Sequence, residues 1–365
     1  MSKVLFITYK RLGSVMEGGG QGAMKNYNAL CSIVGKENVT PYYVHDDDKK
    51  RSWLSYIEGV LYMPFGYYFG LTPRKVRSIV QTAFQYDSVF IDRSLFCIIA
   101  KKLKEHNYTG KIITYYHNIE AVYIDAKVSR HLPFRSVLIN CADRNDRWGC
   151  AYSDSVIALN ERDNSDLKRR YGRSADVLIP VALKDQLASS PDLSAKTSKR
   201  LVCLTIGAYF APNNEGILWF VQHVLPHVDV EYKIVGKGMA QLKKEHPEAL
   251  KDIEVVSDAP SLAPYFEEAD VMILPIFAGS GMKVKTCESL MYGKNIIATD
   301  EALEGYKVVE GVSAWRCNTP DEFIRCIQDF ASHPRLRFNQ AARECYLENY
   351  SISAVEKLFS SIMAK

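Results

Sequence analysis

The residues best suited to chemistry cluster late in the chain, in Asp270-Val-Met-Ile-Leu-Pro275-Ile-Phe-Ala-Gly279-Ser280-Gly281-Met282-Lys283-Val-Lys285-Thr-Cys-Glu288. An apolar run ends at Pro275, a loop of small residues follows, and a helix reads from Met282. The first N–H groups of a helix have no intrahelical acceptor, and its dipole is positive there, so such a loop suits a phosphate. Gly279 and Gly281 let the backbone approach a ligand closely. Lys283 and Lys285 add positive charge. Glu288, one turn after Lys285, can accept hydrogen bonds from the two hydroxyls of a ribose. The same spacing also describes an ordinary strand–loop–helix with a solvated Lys–Glu pair, because glycine loops before helices are common.

Three features stand out earlier in the chain. Gly18-Gly19-Gly20-Gln21-Gly22 reads as a glycine loop between a strand and a helix, or as a plain flexible turn. His117 and Glu120 follow the strand pattern Lys111–Tyr116, at the carboxyl end, where ligands of open α/β sheets bind. His117 is a candidate for lining a reacting group or a structural histidine. Glu120 could orient an acceptor hydroxyl, or simply face a helix dipole. Asp143, Arg144, Asp146 and Arg147 read as a solvated helix face.

The elements that must position these residues alternate. Val4–Thr8, Val39–Val44, Ser88–Asp92, Lys111–Tyr116, Ser155–Leu159 and Val177–Ile179 read as strands. Ala23–Val34, Leu95–His106, Arg135–Tyr152 and Arg162–Tyr171 read as helices. The pattern breaks in the Ser-, Lys- and Pro-containing stretch between Val181 and Arg200, the best candidate linker. It then restarts, with strands Leu201–Ile206, Glu231–Val235, Ile253–Val256, Val271–Leu274 and Asn295–Thr299. Helices Asn214–Leu225, Leu262–Ala269, Met282–Tyr292, Asp321–Ser332 and Leu336–Tyr350 accompany them, and one more runs to the end. The expected fold class is α/β, with two doubly wound parallel sheets in tandem. Two such domains set the expected site in a central cleft.

Composition is that of a globular chain. Of 365 residues, 47% are hydrophobic and 24% charged, enough for two cores. The net charge of +4 carries no nucleic-acid footprint, so no nucleic-acid partner is expected. Nine scattered cysteines, none in a Cys-x-x-Cys pair, point to buried thiols in a reducing compartment. The first residues do not read as a signal peptide, and no apolar run is long enough to span a membrane. The expected location is cytoplasmic.

At Pro275, Gly279-Ser280-Gly281, Lys285 and Glu288 the sequence resembles the donor motif of retaining GT-B glycosyltransferases of family 4. The likeness continues through Gly293-Lys294-Asn295-Ile296-Ile297-Ala298-Thr299 and Glu304-Gly305. Gly207-Ala208 through Asn213-Asn214 is similar to the first strand–loop–helix of the family's C-terminal domain. Val235-Gly236-Lys237-Gly238 is similar to its second strand end. The resemblance implies a GT-B fold, with an N-terminal acceptor domain at 1–182 and a donor domain at 200–349. A last helix at about 350–365 would pack back on the first domain. It implies transfer of a hexosyl unit from a UDP- or GDP-type sugar to a glycan or lipid-linked glycan, with no obligatory cofactor or metal. Donor contacts would fall on Gly19, Gly20, Gly207, Asn213, Gly236, Gly279, Ser280, Gly281, Met282, Lys283, Lys285 and Glu288. His117 would line the reacting sugar beside Glu120. Two departures matter. The first glutamate of the usual pair falls on Ser280. Ala208 and Asn214 stand where the family carries Arg and Lys, so Lys283 or Lys285 must neutralise the diphosphate.

The aromatic stretch Trp53–Leu71, followed by Arg74, Lys75 and Arg77, suits either a buried helix pair or the inner face of a membrane. The rival functions are a sugar-nucleotide epimerase of the same architecture and a catalytically degenerate partner subunit.

Overall fold

The computed structural model describes residues 2–13, 18–45, 59–68, 70–129, 131–187, 194–198 and 200–363. It divides into two units, Met1–Pro180 with Val355–Lys365, and Val181–Ala354. Residues 53–58 and 69 of the aromatic stretch lie outside the described residues.

The first unit holds a parallel sheet of β1 (Val4–Thr8), β2 (Val39–Tyr43), β3 (Ser88–Ile91), β4 (Lys111–Tyr115), β5 (Ser155–Ala158) and β6 (Val177–Leu178). Its order is β2-β1-β3-β4-β5-β6. β1 and β3 are buried along their whole length, which explains their unbroken apolar runs. The second unit repeats the design with β7 (Leu201–Ile206), β8 (Val230–Gly236), β9 (Glu254–Ser257), β10 (Val271–Leu274), β11 (Asn295–Ala298) and β12 (Trp315–Arg316). Here the order is β12-β11-β10-β7-β8-β9. Both sheets are α/β and parallel, as the alternation predicts. In each, the chain reverses its direction of growth at one pair, β1/β3 and β10/β7. Open sheets of this kind bind ligands beyond the carboxyl ends of such a pair.

Several local expectations are corrected. The glycine cluster is not a loop. Gly18–Val34 is one helix, with Gly19, Gly20 and Gly22 inside it. Glycine costs about 1 kcal/mol against alanine inside a helix, and Gly22 has a packing reason to be there. A Cβ on Gly22 would lie 2.8 Å from the His117 Cε1.

The charge run on helix Arg135–Tyr152 is a solvated face only in part: Arg144 and Arg147 are exposed and Asp143 is half-buried, but Asp146 turns inward. Asn145 and Asp146 are fully buried. Asn145 accepts from the Ile98 N–H at 2.8 Å and donates to the Gly66 carbonyl at 2.8 Å. Asp146 accepts from the Ser94 hydroxyl at 2.6 Å and from the Ala121 N–H at 3.0 Å. Burial pushes its carboxyl up to about 8. One helix thus fixes the segments that follow β3 and β4. Helices Pro73–Ala83, Glu120–Lys127 and Met239–Glu245 are additional to the sequence reading.

Candidate functional sites of the two units

In the second unit the expected helix at Met282 begins two residues later. It spans Val284–Met291, with Lys283 at the N-cap in an extended conformation. The loop before it needs its glycines, because Gly279 has φ 151 and Gly281 φ 64. Met282 is buried, so only its backbone is open to a ligand role.

The two lysines diverge. Lys283 turns back on the loop and donates to the Gly281 carbonyl at 2.9 Å and to Glu301 Oε1 at 2.6 Å. Lys285 turns towards β7 and donates to Asn213 Oδ1 at 2.6 Å. The Asn213 amide donates in turn to the Ala208 carbonyl at 2.8 Å. A Cβ on Gly207 would come within 3.0 Å of both Lys285 Nζ and Asn213 Nδ2. Gly207, Asn213 and Lys285 therefore form one cluster at the β7 end. Gly236 serves packing, since a Cβ there would sit 1.9 Å from the Gly207 carbonyl oxygen. Gly216 does the same beside Pro275, at 1.7 Å from its carbonyl oxygen.

Loss of solvent dominates the electrostatics. Desolvation lowers the Lys285 ammonium from 10.5 to about 8, opposed by Glu288 and reinforced by Lys283. It raises the Glu288 carboxyl from 4.5 to about 7, against the pull of Lys285. The Glu288 carboxylate accepts no hydrogen bond from any described residue, which leaves its lone pairs open. Ser280 is half-buried in the same loop.

In the first unit a cavity of about 540 Å³ opens where β1 and β3 end, lined by Lys10, Arg11, Gly20, Asp92, Arg93 and Glu120 among others. Gly20 brings the start of the glycine helix to this wall. His117 is buried behind it. Its Nε2 lies 3.4 Å from Asp92 Oδ1, and its ring packs 4.6 Å from that of Tyr115. Asp92 also accepts from the Asn26 amide at 2.7 Å and the Thr8 hydroxyl at 3.3 Å. Glu120 is buried at the first turn of its helix, and its Oε1 lies 3.8 Å from Arg93 Nε. Sequence reasoning brings His117 and Glu120 to this place but misses Asn26, Asp92 and Arg93. Asp92-Arg93 directly follow a buried strand, and that position is the signal that finds His117.

The described part of the aromatic stretch is docked on helix Arg135–Tyr152. Arg144 donates to the Pro64 carbonyl, and Gly66 sits under the Trp148 ring. Leu61 and Phe65 point outward, 64% and 65% exposed. Among the described residues no helix is long and apolar enough to cross a membrane.

Comparison with known proteins agrees with this architecture. Residues 200–333 match the family model of glycosyl transferases group 1. No curated protein is detectably similar in sequence. Among solved structures, the chain is similar to Anabaena Alr3699/HepE in complex with UDP-glucose, at 12% identity and TM-score 0.66, covering all of both chains. The apo lipopolysaccharide outer core galactosyltransferase WaaB gives 15% identity and TM-score 0.66, again over both full chains. A glycosyltransferase from Rickettsia africae gives 14% identity and TM-score 0.64, over 99% of this chain and 97% of that one. Identities this low speak for the fold, and the family model speaks for the unit that carries the Gly279–Glu288 site. The chain has the GT-B fold, and residues 200–333 in its second unit match the family of glycosyl transferases group 1.

Proposed function

We propose that the protein moves a hexosyl unit, with retention of anomeric configuration, from a nucleoside diphosphate sugar to a glycan hydroxyl. The observation that carries this reading is the divergence of Lys283 and Lys285. Lys283 is engaged by Glu301, whereas Lys285 is held by Asn213 over Gly207, at the carboxyl end of β7. A diphosphate there would meet one desolvated ammonium and the N–H groups that open helix Val284–Met291. Developing negative charge on a leaving diphosphate is stabilised by such preorganised donors, which cost little reorganisation at the moment of reaction. Glu288, with open lone pairs, takes the ribose diol. This assigns charge neutralisation to protein groups, with no obligatory metal.

The UDP-glucose complex of the Anabaena protein supports a sugar nucleotide as donor, and the galactosyltransferase supports a glycan as acceptor. In the first unit, His117 and Glu120 serve the acceptor side. Peripheral contact with the inner membrane face belongs to the same reading, through the outward Leu61 and Phe65. Failure to float with anionic vesicles at low salt would remove that part.

The test is a thermal-shift screen of UDP-, GDP- and ADP-sugars, then product analysis by NMR with the stabilising donor. The expected product keeps the donor's anomeric configuration. An inverted product would overturn retention, and an epimerised donor without acceptor would transfer the case to the epimerase. No stabilisation by any nucleotide would favour the degenerate partner subunit.

A further inference from the structure

The cavity of the first unit contains a guanidinium whose hydrogen-bonding capacity the described residues leave unused. Arg93 lines it, and its side chain is 27% exposed. Its nearest carboxylate oxygen, on Glu120, lies 3.8 Å from Nε, beyond hydrogen-bonding distance. Its two Nη groups donate to no acceptor among the described residues. An arginine carries five donors in a planar fork that matches two oxygens of one carboxylate or phosphate. A neutral sugar hydroxyl offers that fork only single contacts.

The surroundings fit the same occupant. Glu120 is 1% exposed and lies under Arg93, so the guanidinium stays charged without being saturated. Of the other carboxylates nearby, Asp92 already accepts from Asn26 and Thr8. Lys10 and Arg11 add positive charge to the cavity wall. Tyr9, Tyr68 and Tyr123 supply flat apolar surface for a sugar ring. The backbone on either side of the fork is fixed, because Asp146 holds Ser94 and Ala121 while Asn145 holds Ile98. A donor group held this way loses little entropy on binding.

We propose that this cavity takes an acceptor sugar bearing an oxyanion, a carboxylate or a phosphate, that Arg93 grips through both Nη groups. The inference rests on the glycosyl-transfer reading only in calling the occupant an acceptor. Arg93 reads the substrate here and does no chemistry of its own.

NMR titrations of the full chain with glucuronate, glucose 1-phosphate and methyl glucoside test it, beside a separate titration with UDP-glucose. At least one of the two anionic sugars should bind ten-fold or more tighter than methyl glucoside, and the tighter of the two identifies the oxyanion. Arg93→Lys keeps the charge over Glu120 but loses the fork, so it should forfeit most of that advantage while UDP-glucose affinity stays the same. The paired variant Arg93→Gln with Glu120→Gln removes both charges of the pair together and should lose the advantage entirely. Equal binding of methyl glucoside, or full anion affinity in Arg93→Lys, would overturn the proposal. So would a parallel loss of UDP-glucose affinity, which would make Arg93 a donor residue. Anionic sugars that bind a protein indifferent to UDP-glucose would refute the donor assignment and leave the cavity's preference standing.

Discussion

On the proposed reading the Lys285–Glu288 pair makes donor binding a function of pH, and its two limbs can be worked out from the structure. Desolvation holds the Lys285 ammonium at about 8 instead of 10.5. Keeping it charged near neutrality therefore costs on the order of 2–3 kcal/mol, at ~1.4 kcal/mol per pKa unit with some relief from residual solvent. A diphosphate beside Nζ removes that penalty and returns the group towards its ordinary value. Binding must then take up a proton, roughly half of one at pH 8 and nearly a whole one at pH 9. Affinity should fall by about ten-fold for each pH unit above 8. On the acid side, Glu288 titrates at about 7 and must be ionised to accept two hydroxyls, so affinity falls again below that. Both requirements are met together between about 7 and 8. Calorimetry with a sugar nucleotide suits the test, because its diphosphate diester keeps a constant charge over this range. Titrations in buffers of different ionisation enthalpy read the proton uptake directly. Lys285→Met should bind weakly, with no alkaline limb and no uptake. A wild-type protein without proton uptake at about pH 9, or an alkaline limb that survives in Lys285→Met, would refute the reasoning.

Three substitutions separate the remaining roles. Glu288→Ala should weaken donor binding about 10- to 100-fold, the worth of hydrogen bonds to a charged acceptor, without lowering the melting temperature, and unchanged affinity in the same titration would remove Glu288 from the site. Gly22→Ala puts a methyl group 2.8 Å from the His117 ring. Turnover should drop ten-fold or more while donor affinity holds, and full turnover would mean the placement of His117 is immaterial. Gly216→Ala is a test of sign. In an exposed helix the change adds about 1 kcal/mol of stability, but here the methyl group meets the Pro275 carbonyl at 1.7 Å. Overpacking of this kind costs about 1–3 kcal/mol, so calorimetric melting should move down by several degrees, and an upward shift would show that the loop before the donor helix yields freely.

Much of the architecture was legible because it rests on repeated local signals. Runs such as Val4–Thr8 and Val271–Leu274 are apolar on both faces because their strands lie inside parallel sheets. The errors share a cause, since each depends on contacts between residues far apart in sequence. Nothing local says that Gly18–Gly22 is helical, and the contact that keeps Gly22 a glycine lies at His117, beyond the end of β4. Nothing local says that Asp146 is buried, because its partners are Ser94 and Ala121. A helical period assigns a residue to a face, but only the fold decides what covers that face.

The same limit explains why two lysines of equal apparent worth divide their work. Lys283 is the extended N-cap and Lys285 lies in the first turn of the helix, so they point in different directions. The sequence pattern leaves open which of them neutralises a diphosphate. Their partners decide it: Glu301 neutralises Lys283, whereas neutral Asn213 orients Lys285 and leaves its charge intact. That arrangement also accounts for the departures from the family pattern. With Ala208 and Asn214 where the family it resembles carries two cations, the proposed reading leaves a single lysine to meet the diphosphate. Desolvation strengthens the pull of that one charge, since the same low polarity that costs the free ammonium magnifies its attraction for an anion. On the proposed reading the site trades the number of charges for their environment, and an alkaline limb of donor binding is the expected consequence.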